Sequence, residues 1–469
     1  MSTKRFLSPD EIAAWQPMPS PNRAGGPIKH LRQALMDNNL WTGSQVAGRN
    51  FAMGCVSLEV TQRCNLDCSL CYLSDMAEAV HDLPLPEVFR RIDMIADHFG
   101  PGMDVQISGG DPTLRKPADL AAITARIVGH KMRPSLFTNG IKATRSLLSE
   151  LAAAGLSDVA FHVDLTQERK GYHSEQALNQ LRQDYIQRTK GLGLRILFNT
   201  TVFDGNVGEM PDLVRFFVDH ADDVHLASFQ LQADTGRGVY QAAGDAVSQE
   251  QMMRDINQAT DLDLDFEMPR IGHPDCNKYT GILVSSDLAI PLFDDHDLFA
   301  DLFKAVAARL SLWHQCRALA LLWAALRHPH LAARALTWLA RKAWALRSGL
   351  WRTGRVTKLS FFIHNFMDAQ TLVADRCAGC VFMVATRDGP ISMCVHNAKR
   401  DSYVLAPVSL EGDLVWDPLS GKERPDGPDT KAGSSEPSSL PLKRLKGRYR
   451  AKHLAARQAA DPTSVTSEP

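Results

Sequence analysis

Long apolar runs are missing from this 469-residue chain. The longest uninterrupted one, Ala318 to Leu326, has nine residues against the roughly 20 a spanning helix needs, which excludes a polytopic membrane protein. The N-terminus has no continuous apolar segment and carries acids early, so it does not read as a secretory signal, and a cytoplasmic location is expected. Net charge is nearly absent: 52 Lys and Arg against 53 Asp and Glu leave −1 at pH 7, so nucleic acid is not an expected partner. No internal repeat is visible. With 44% apolar and 22% charged residues, the bulk of the chain should nevertheless fold as a globular protein.

Nine cysteines, at 55, 64, 68, 71, 276, 316, 377, 380 and 394, are what the chain does have. Their odd number and tight grouping, without an export signal, favour metal or cluster ligation over disulfides.

Residues 1–50 read as a lead-in punctuated by Pro and Asn. From 51 to 270, short β-branched runs alternate with amphipathic helical segments, the signature of βα repetition and a parallel sheet or barrel. Residues 271–298 break that rhythm, 299–358 form a basic, Trp-rich helical stretch, and strand-like residues with the last three cysteines return at 359–415. Beyond 416, a composition of Pro, Gly, Ser, Lys and Arg predicts a disordered tail with a short basic helix near 442–459. The expected fold class is α/β: a partial (β/α)6 barrel with a helical insertion and a C-terminal cysteine region.

Cys64, Cys68 and Cys71 follow a strand at spacings of four and three, which lets three thiolates from one loop converge on a single cubane. Three ligands leave one iron open, and an open metal position is what admits a substrate or cofactor. A structural zinc site with Cys55 as fourth ligand is the alternative. The nest resembles the C-x-x-x-C-x-x-C motif of the radical S-adenosylmethionine (SAM) superfamily, with Tyr72 as its neighbouring aromatic. That resemblance implies a 4Fe-4S cluster, SAM on the open iron, a 5′-deoxyadenosyl radical, and a reductant such as ferredoxin or flavodoxin.

Gly109-Gly110-Asp111-Pro112 stands where that superfamily carries its G-G-E-P-like loop; its glycines let backbone approach a ligand closely. Asn139, in Thr-Asn-Gly, ends the next strand. His162 and Asp164 share a face two residues apart; they either contact SAM or are ordinary strand-end polar residues. Asn199 and Gln230 repeat the pattern where barrel enzymes place their sites.

Cys276, Cys377, Cys380 and Cys394 make one further complete ligand set, for an auxiliary 4Fe-4S cluster or zinc; Cys55 and Cys316 read as buried cysteines. The segments Cys55 to Thr61, Gly109 to Thr113, His273 to Cys276, Ile363 to Ala369 with Cys377, and Cys394 to Asn397 resemble the tetraether lipid synthase family. Its archaeal members join lipid tails through a carbon–carbon bond, and one relative is assigned to pterin methylation. The archaeal proteins carry a Cys-rich N-terminal segment, whereas residues 1–54 here have no cysteine.

Between Asp301 and Asp368 there is no acid, but there are eleven Lys or Arg and five of the eight Trp (313, 323, 338, 344 and 351). Such helices lie in a membrane interface; a helical cap packed on the barrel is the alternative. The expected function is hydrogen abstraction from a lipid or other hydrophobic substrate, with peripheral contact on the inner face of the membrane and the helices forming a lid. A peptide maturase with an auxiliary cluster, or a non-catalytic membrane-binding module, are the alternatives.

Overall fold

The computed structural model describes residues 4–19, 26–47, 54–237, 246–310, 326–410 and 412–426. Trp313, Cys316, Trp323, most of the Ala318–Leu326 run and the expected helix at 442–459 lie outside them. Among the described residues no helix is long and apolar enough to cross a membrane.

Six strands, β1 (Cys55–Thr61), β2 (Asp104–Gly109), β3 (Arg133–Thr138), β4 (Asp158–His162), β5 (Arg195–Val202) and β6 (Val224–Leu231), pair in parallel in chain order. Parallel neighbours need crossovers, and helices such as Leu85–Phe99 and Pro117–Gly129 supply them. β1 is buried along its whole length, as a strand covered on both faces must be. Its alternate residues divide the work: Val56, Leu58 and Val60 join the main apolar core, whereas Ser57 and Glu59 point into a cavity.

The sheet runs beyond the expected six strands. β9 (Thr357–Asn365) adds in parallel to β6, and β10 (Phe382–Ala385) adds in parallel to β1. Antiparallel partners β7 (Asn277–Ser285), β8 (Leu288–Pro291) and β11 (Pro390–Ser392) finish the edges. The cysteine region at 271–298 and 359–415 is therefore built into the barrel sheet and not appended to it. Its two ends meet side chain to side chain: the Phe362 ring on β9 lies 5.9 Å from Phe382 on β10, and His364 lies 4.9 Å from Phe382. Burial holds His364 neutral, at a pKa of about 3.

Two boundaries differ from the sequence reading. The lead-in packs as part of the fold: Leu31 and Leu35, one turn apart, are fully buried, and Phe6 bridges to Val373. The tail begins later than 416, because β13 (Leu414–Asp417) pairs with both β12 (Val408–Leu410) and β14 (Lys422–Pro425) in a small second sheet. Val415 and Trp416, on opposite faces of β13, are both buried.

The basic helices Pro329–Ala345 and Arg347–Thr353 pack on the outside of β7 and β8. Lys342, 5% exposed, donates to the Pro291 carbonyl at 2.5 Å and pairs with Asp294 at 2.7 Å, and the Trp338 indole N–H reaches Asp294 at 2.8 Å. At Gly349 a Cβ would meet the Ser285 carbonyl at 2.3 Å, so only glycine allows this approach. None of the described residues of 299–358 lines the barrel cavity.

Candidate active site

A cavity of about 220 Å³ sits inside the sheet. The strand period of two sends Gln106 and Ser108 of β2, Asn199 and Thr201 of β5, and Gln230 of β6 into it, along with Ser57 and Glu59. Cys64, Cys68, Cys71, Tyr72, Gly109, Gly110, Asn139 and His162 complete the sequence-predicted residues that line it.

The three cysteines come from the loop that leaves β1. The Leu66 amide donates to Cys64 Sγ at 3.4 Å, Asn139 Nδ2 approaches the same sulfur at 3.9 Å, and Arg237 Nη2 donates to Cys71 Sγ at 3.3 Å. Burial, then Cys71, Asp164 and Cys64, push the Cys68 thiol well up; a cation or cluster is what would favour its thiolate. N–H groups aimed at clustered cysteine sulfurs fit an iron–sulfur cluster. No three His, Cys, Asp or Glu among the described residues gather around one ion. Cys55 cannot be a fourth ligand here. It starts β1, roughly 20 Å of strand from the loop that holds Cys64, and neighbours Cys380 instead.

Gly109 and Gly110 serve packing as well as approach. Gly109 has φ +121°, and a Cβ on either residue would lie 2.0 to 2.1 Å from the carbonyl oxygens of Thr61 and Arg63. The Gly110 and Asp111 amides donate to those same carbonyls at 2.9 and 2.8 Å. The glycines thus clamp the segment that delivers Cys64. Tyr72 adds a further tie, its hydroxyl donating to the Gly109 carbonyl at 2.6 Å.

Asp111, Pro112 and Asp164 do not line the cavity. Asp111 is fully buried and accepts from Thr138 Oγ1 and the Asn139 amide at 2.9 Å each. It is a positioning residue for the Thr-Asn-Gly turn, and Pro112 opens the short turn that follows. Asp164 is likewise buried. Burial alone would raise its carboxyl, but His162 at 2.7 Å and the Thr201 amide at 2.8 Å hold it at about 2. Asp164 therefore orients His162, which alone of the pair faces the cavity.

Several site residues escaped the sequence reading. Arg400, 3% exposed, grips both oxygens of Glu59 at 2.7 and 2.8 Å, bonds Asn397 at 2.7 Å, and places its guanidinium 4.7 Å from the Tyr72 ring centre. Burial would raise the Glu59 carboxyl, yet Arg400 holds it at about 2. An acid on the inward face of an apolar strand was the available signal for Glu59. Arg400 and Arg237 had none, since long-range pairing has no local spacing.

The second cysteine set gathers at the barrel seam. Burial, then Cys394, Cys380 and Cys276, raise the Cys377 thiol, so all four cysteines are electrostatic neighbours. Cys276 is pushed to about 11 by burial against the pull of Arg376, whose Nε donates to its sulfur at 3.2 Å. The helix Met393–Ala398 links the two regions: Met393 and Asn397 face the cavity while Cys394 belongs to the second set.

Residues 58–217 match the family profile described as the Radical SAM superfamily. This segment is a radical SAM domain. That match implies enzymatic chemistry with a 4Fe-4S cluster and SAM at this segment. It is 29% identical over 187 residues to 7,8-dihydro-6-hydroxymethylpterin dimethyltransferase of Methanocaldococcus jannaschii, covering 39% of this chain and 37% of that one. It is 28% identical over 182 residues to PqqA peptide cyclase of Bradyrhizobium diazoefficiens, covering 37% and 46%. The chain thus spans less than half the length of these two relatives. In structure it overlaps AdoMet-bound native anSMEcpe over 44% of this chain and 60% of that one, at TM-score 0.35 and 14% identity. The tetraether lipid synthase resemblance is not among these matches.

Proposed function

We propose that this radical SAM enzyme abstracts hydrogen from an unactivated carbon of an amphiphilic, lipid-like substrate at a membrane surface, leading to carbon–carbon bond formation or a related modification. The observation that supports the chemistry is the convergence of Cys64, Cys68 and Cys71 with strand-end polar residues in one cavity. Bound together, cluster and SAM supply the hydrogen-abstracting 5′-deoxyadenosyl radical, with an electron from a donor such as ferredoxin or flavodoxin. The three cysteines would hold the cluster. Gly109, Gly110 and Asn139 would help to seat SAM with backbone and amide groups, and His162, Asn199 and Gln230 would offer it hydrogen bonds. Leu66, Leu70 and Phe366 add apolar surface to the cavity wall. Cys276, Cys377, Cys380 and Cys394 are assigned to an auxiliary cluster or a zinc ion.

The exposed face of the basic helices supports the membrane half. Leu336, Leu339, Trp344 and Trp351 are 56 to 90% exposed, and Arg347 lies over the Trp344 ring at 4.4 Å, a pattern that suits an anionic interface. The test is liposome flotation. Binding should favour anionic over neutral vesicles, and Trp344→Ser with Trp351→Ser should abolish it without changing the melting temperature. Equal binding to both vesicle types would remove the reason for a lipid substrate. A peptide substrate is the second reading, favoured by the similarity to PqqA peptide cyclase and by the amide-rich wall of Gln106, Asn199, Gln230, Gln232 and Asn397.

A further inference from the structure

We infer that Arg237 is a positioning and charge-compensating residue for the SAM cluster, set to raise its reduction potential through Cys71. The inference rests on the assignment of Cys64, Cys68 and Cys71 to that cluster. Arg237 is 1% exposed, and a guanidinium stays protonated however deeply it is buried. Such a cation is costly to bury unless something nearby is negative. Glu78 stands 3.9 Å away, at the outer limit of an ion pair, whereas Cys71 Sγ accepts from Nη2 at 3.3 Å. Cys71 Sγ is a sulfur that the cluster would charge.

The backbone fixes this approach before any cluster binds. The Arg237 amide donates to the Leu73 carbonyl at 3.0 Å, tying the loop after β6 to the residues just past Cys71. Gly236 lies at φ +51°, and a Cβ there would stand 2.2 Å from the Tyr72 carbonyl oxygen, so the loop can lie this close only with glycine. The loop is also held from its other side: the Asp234 amide donates to Asp368 Oδ1 at 2.7 Å and the Ala369 amide to the Asp234 carbonyl at 2.9 Å. Arg237 is thus locked in place and does not swing into it.

A cluster gains one negative charge on reduction. A fixed cation hydrogen-bonded to a ligand sulfur stabilises the reduced form more than the oxidised one, and hydrogen bonds to sulfur and net charge are among the levers that set such potentials. Loss of Arg237 should therefore make the cluster harder to reduce without removing a ligand.

The experiment is an EPR-monitored redox titration of reconstituted full-length protein, with and without SAM. In Arg237→Gln, iron content and the SAM response of the signal should persist. The ratio of reduced to oxidised cluster, read at the midpoint potential of the unaltered protein, should fall roughly tenfold, a shift of about 59 mV for one electron. A loaded Arg237→Gln protein with an unshifted potential would overturn the inference. Should that variant fail to hold iron, Arg237→Lys decides: retained charge without the planar fork should keep the shift well below tenfold, and a tenfold or larger fall despite the retained charge overturns the inference. Absence of any SAM-responsive signal in the unaltered protein would instead fail the cysteine assignment beneath it.

Discussion

The two cysteine groups of this molecule are solved in opposite ways. The first draws three thiols from one eight-residue loop, leaves all three partly exposed, and borders a cavity. The second draws four from three separate segments, with Cys377 and Cys394 only 2% and 6% exposed, and lies behind the helix whose other residues line that cavity. On the proposed assignment, the first group would leave a coordination position open and the second would fill every position. Each nonetheless has a buried arginine on one sulfur, Arg237 on Cys71 and Arg376 on Cys276, so outer-sphere charge is common to both while access is not.

The largest expected effect separates the groups by chemistry. Replacing Cys64, Cys68 and Cys71 together with Ala should remove about four irons per chain and abolish 5′-deoxyadenosine formation under reduction with SAM, as read by iron analysis and chromatography. Replacing Cys377 and Cys394 with Ser should remove iron from the second group while SAM cleavage without substrate continues. If the second substitution also stops SAM cleavage, the two groups are not independent centres.

A smaller effect tests the wall between them. Glu59→Gln leaves Arg400 as an uncompensated buried charge and should cost about 3–5 kcal/mol in denaturant unfolding. A loss below about 1 kcal/mol would mean that the pair contributes little to closing the cavity.

The smallest effects are in pH. His364 and His396 are held at about 3 by burial, so the unfolded chain binds their protons first, and stability should fall as pH drops below the ordinary histidine value near 6.5. Glu59 and Asp164, both held at about 2, contribute stability that is present above their ordinary range and lost as pH falls from about 4.5 toward 2. Urea midpoints between pH 8 and 4 should therefore decrease steadily toward acid. The Glu59→Gln variant should lose less over the lower part of that range.

Legibility in the sequence followed locality. Cys64, Cys68 and Cys71 were readable because their spacing is itself the geometry, and Asn199 and Gln230 because strand alternation fixes their direction. Asp111 and Asp164 were readable as important but not as positioning residues, since their partners Thr138 and Thr201 lie on neighbouring strands. The second group could be counted as four ligands but not located, because β7, β9 and β10 join the sheet by pairings between segments far apart in the chain. Arg237 and Arg400 act across 166 and 341 residues and left no local pattern at all. The Trp-rich helices were legible in polarity but not in placement, which Lys342 and Gly349 settle by docking them on β7 and β8.

EPR of the dithionite-reduced, reconstituted protein recorded before and after addition of SAM tests the division between the groups most directly. Two populations of reduced cluster are expected, one whose signal changes with SAM and disappears in the Cys64, Cys68 and Cys71 variant, and one that ignores SAM and disappears in the Cys377 and Cys394 variant. A SAM response that survives loss of Cys64, Cys68 and Cys71 would contradict the account.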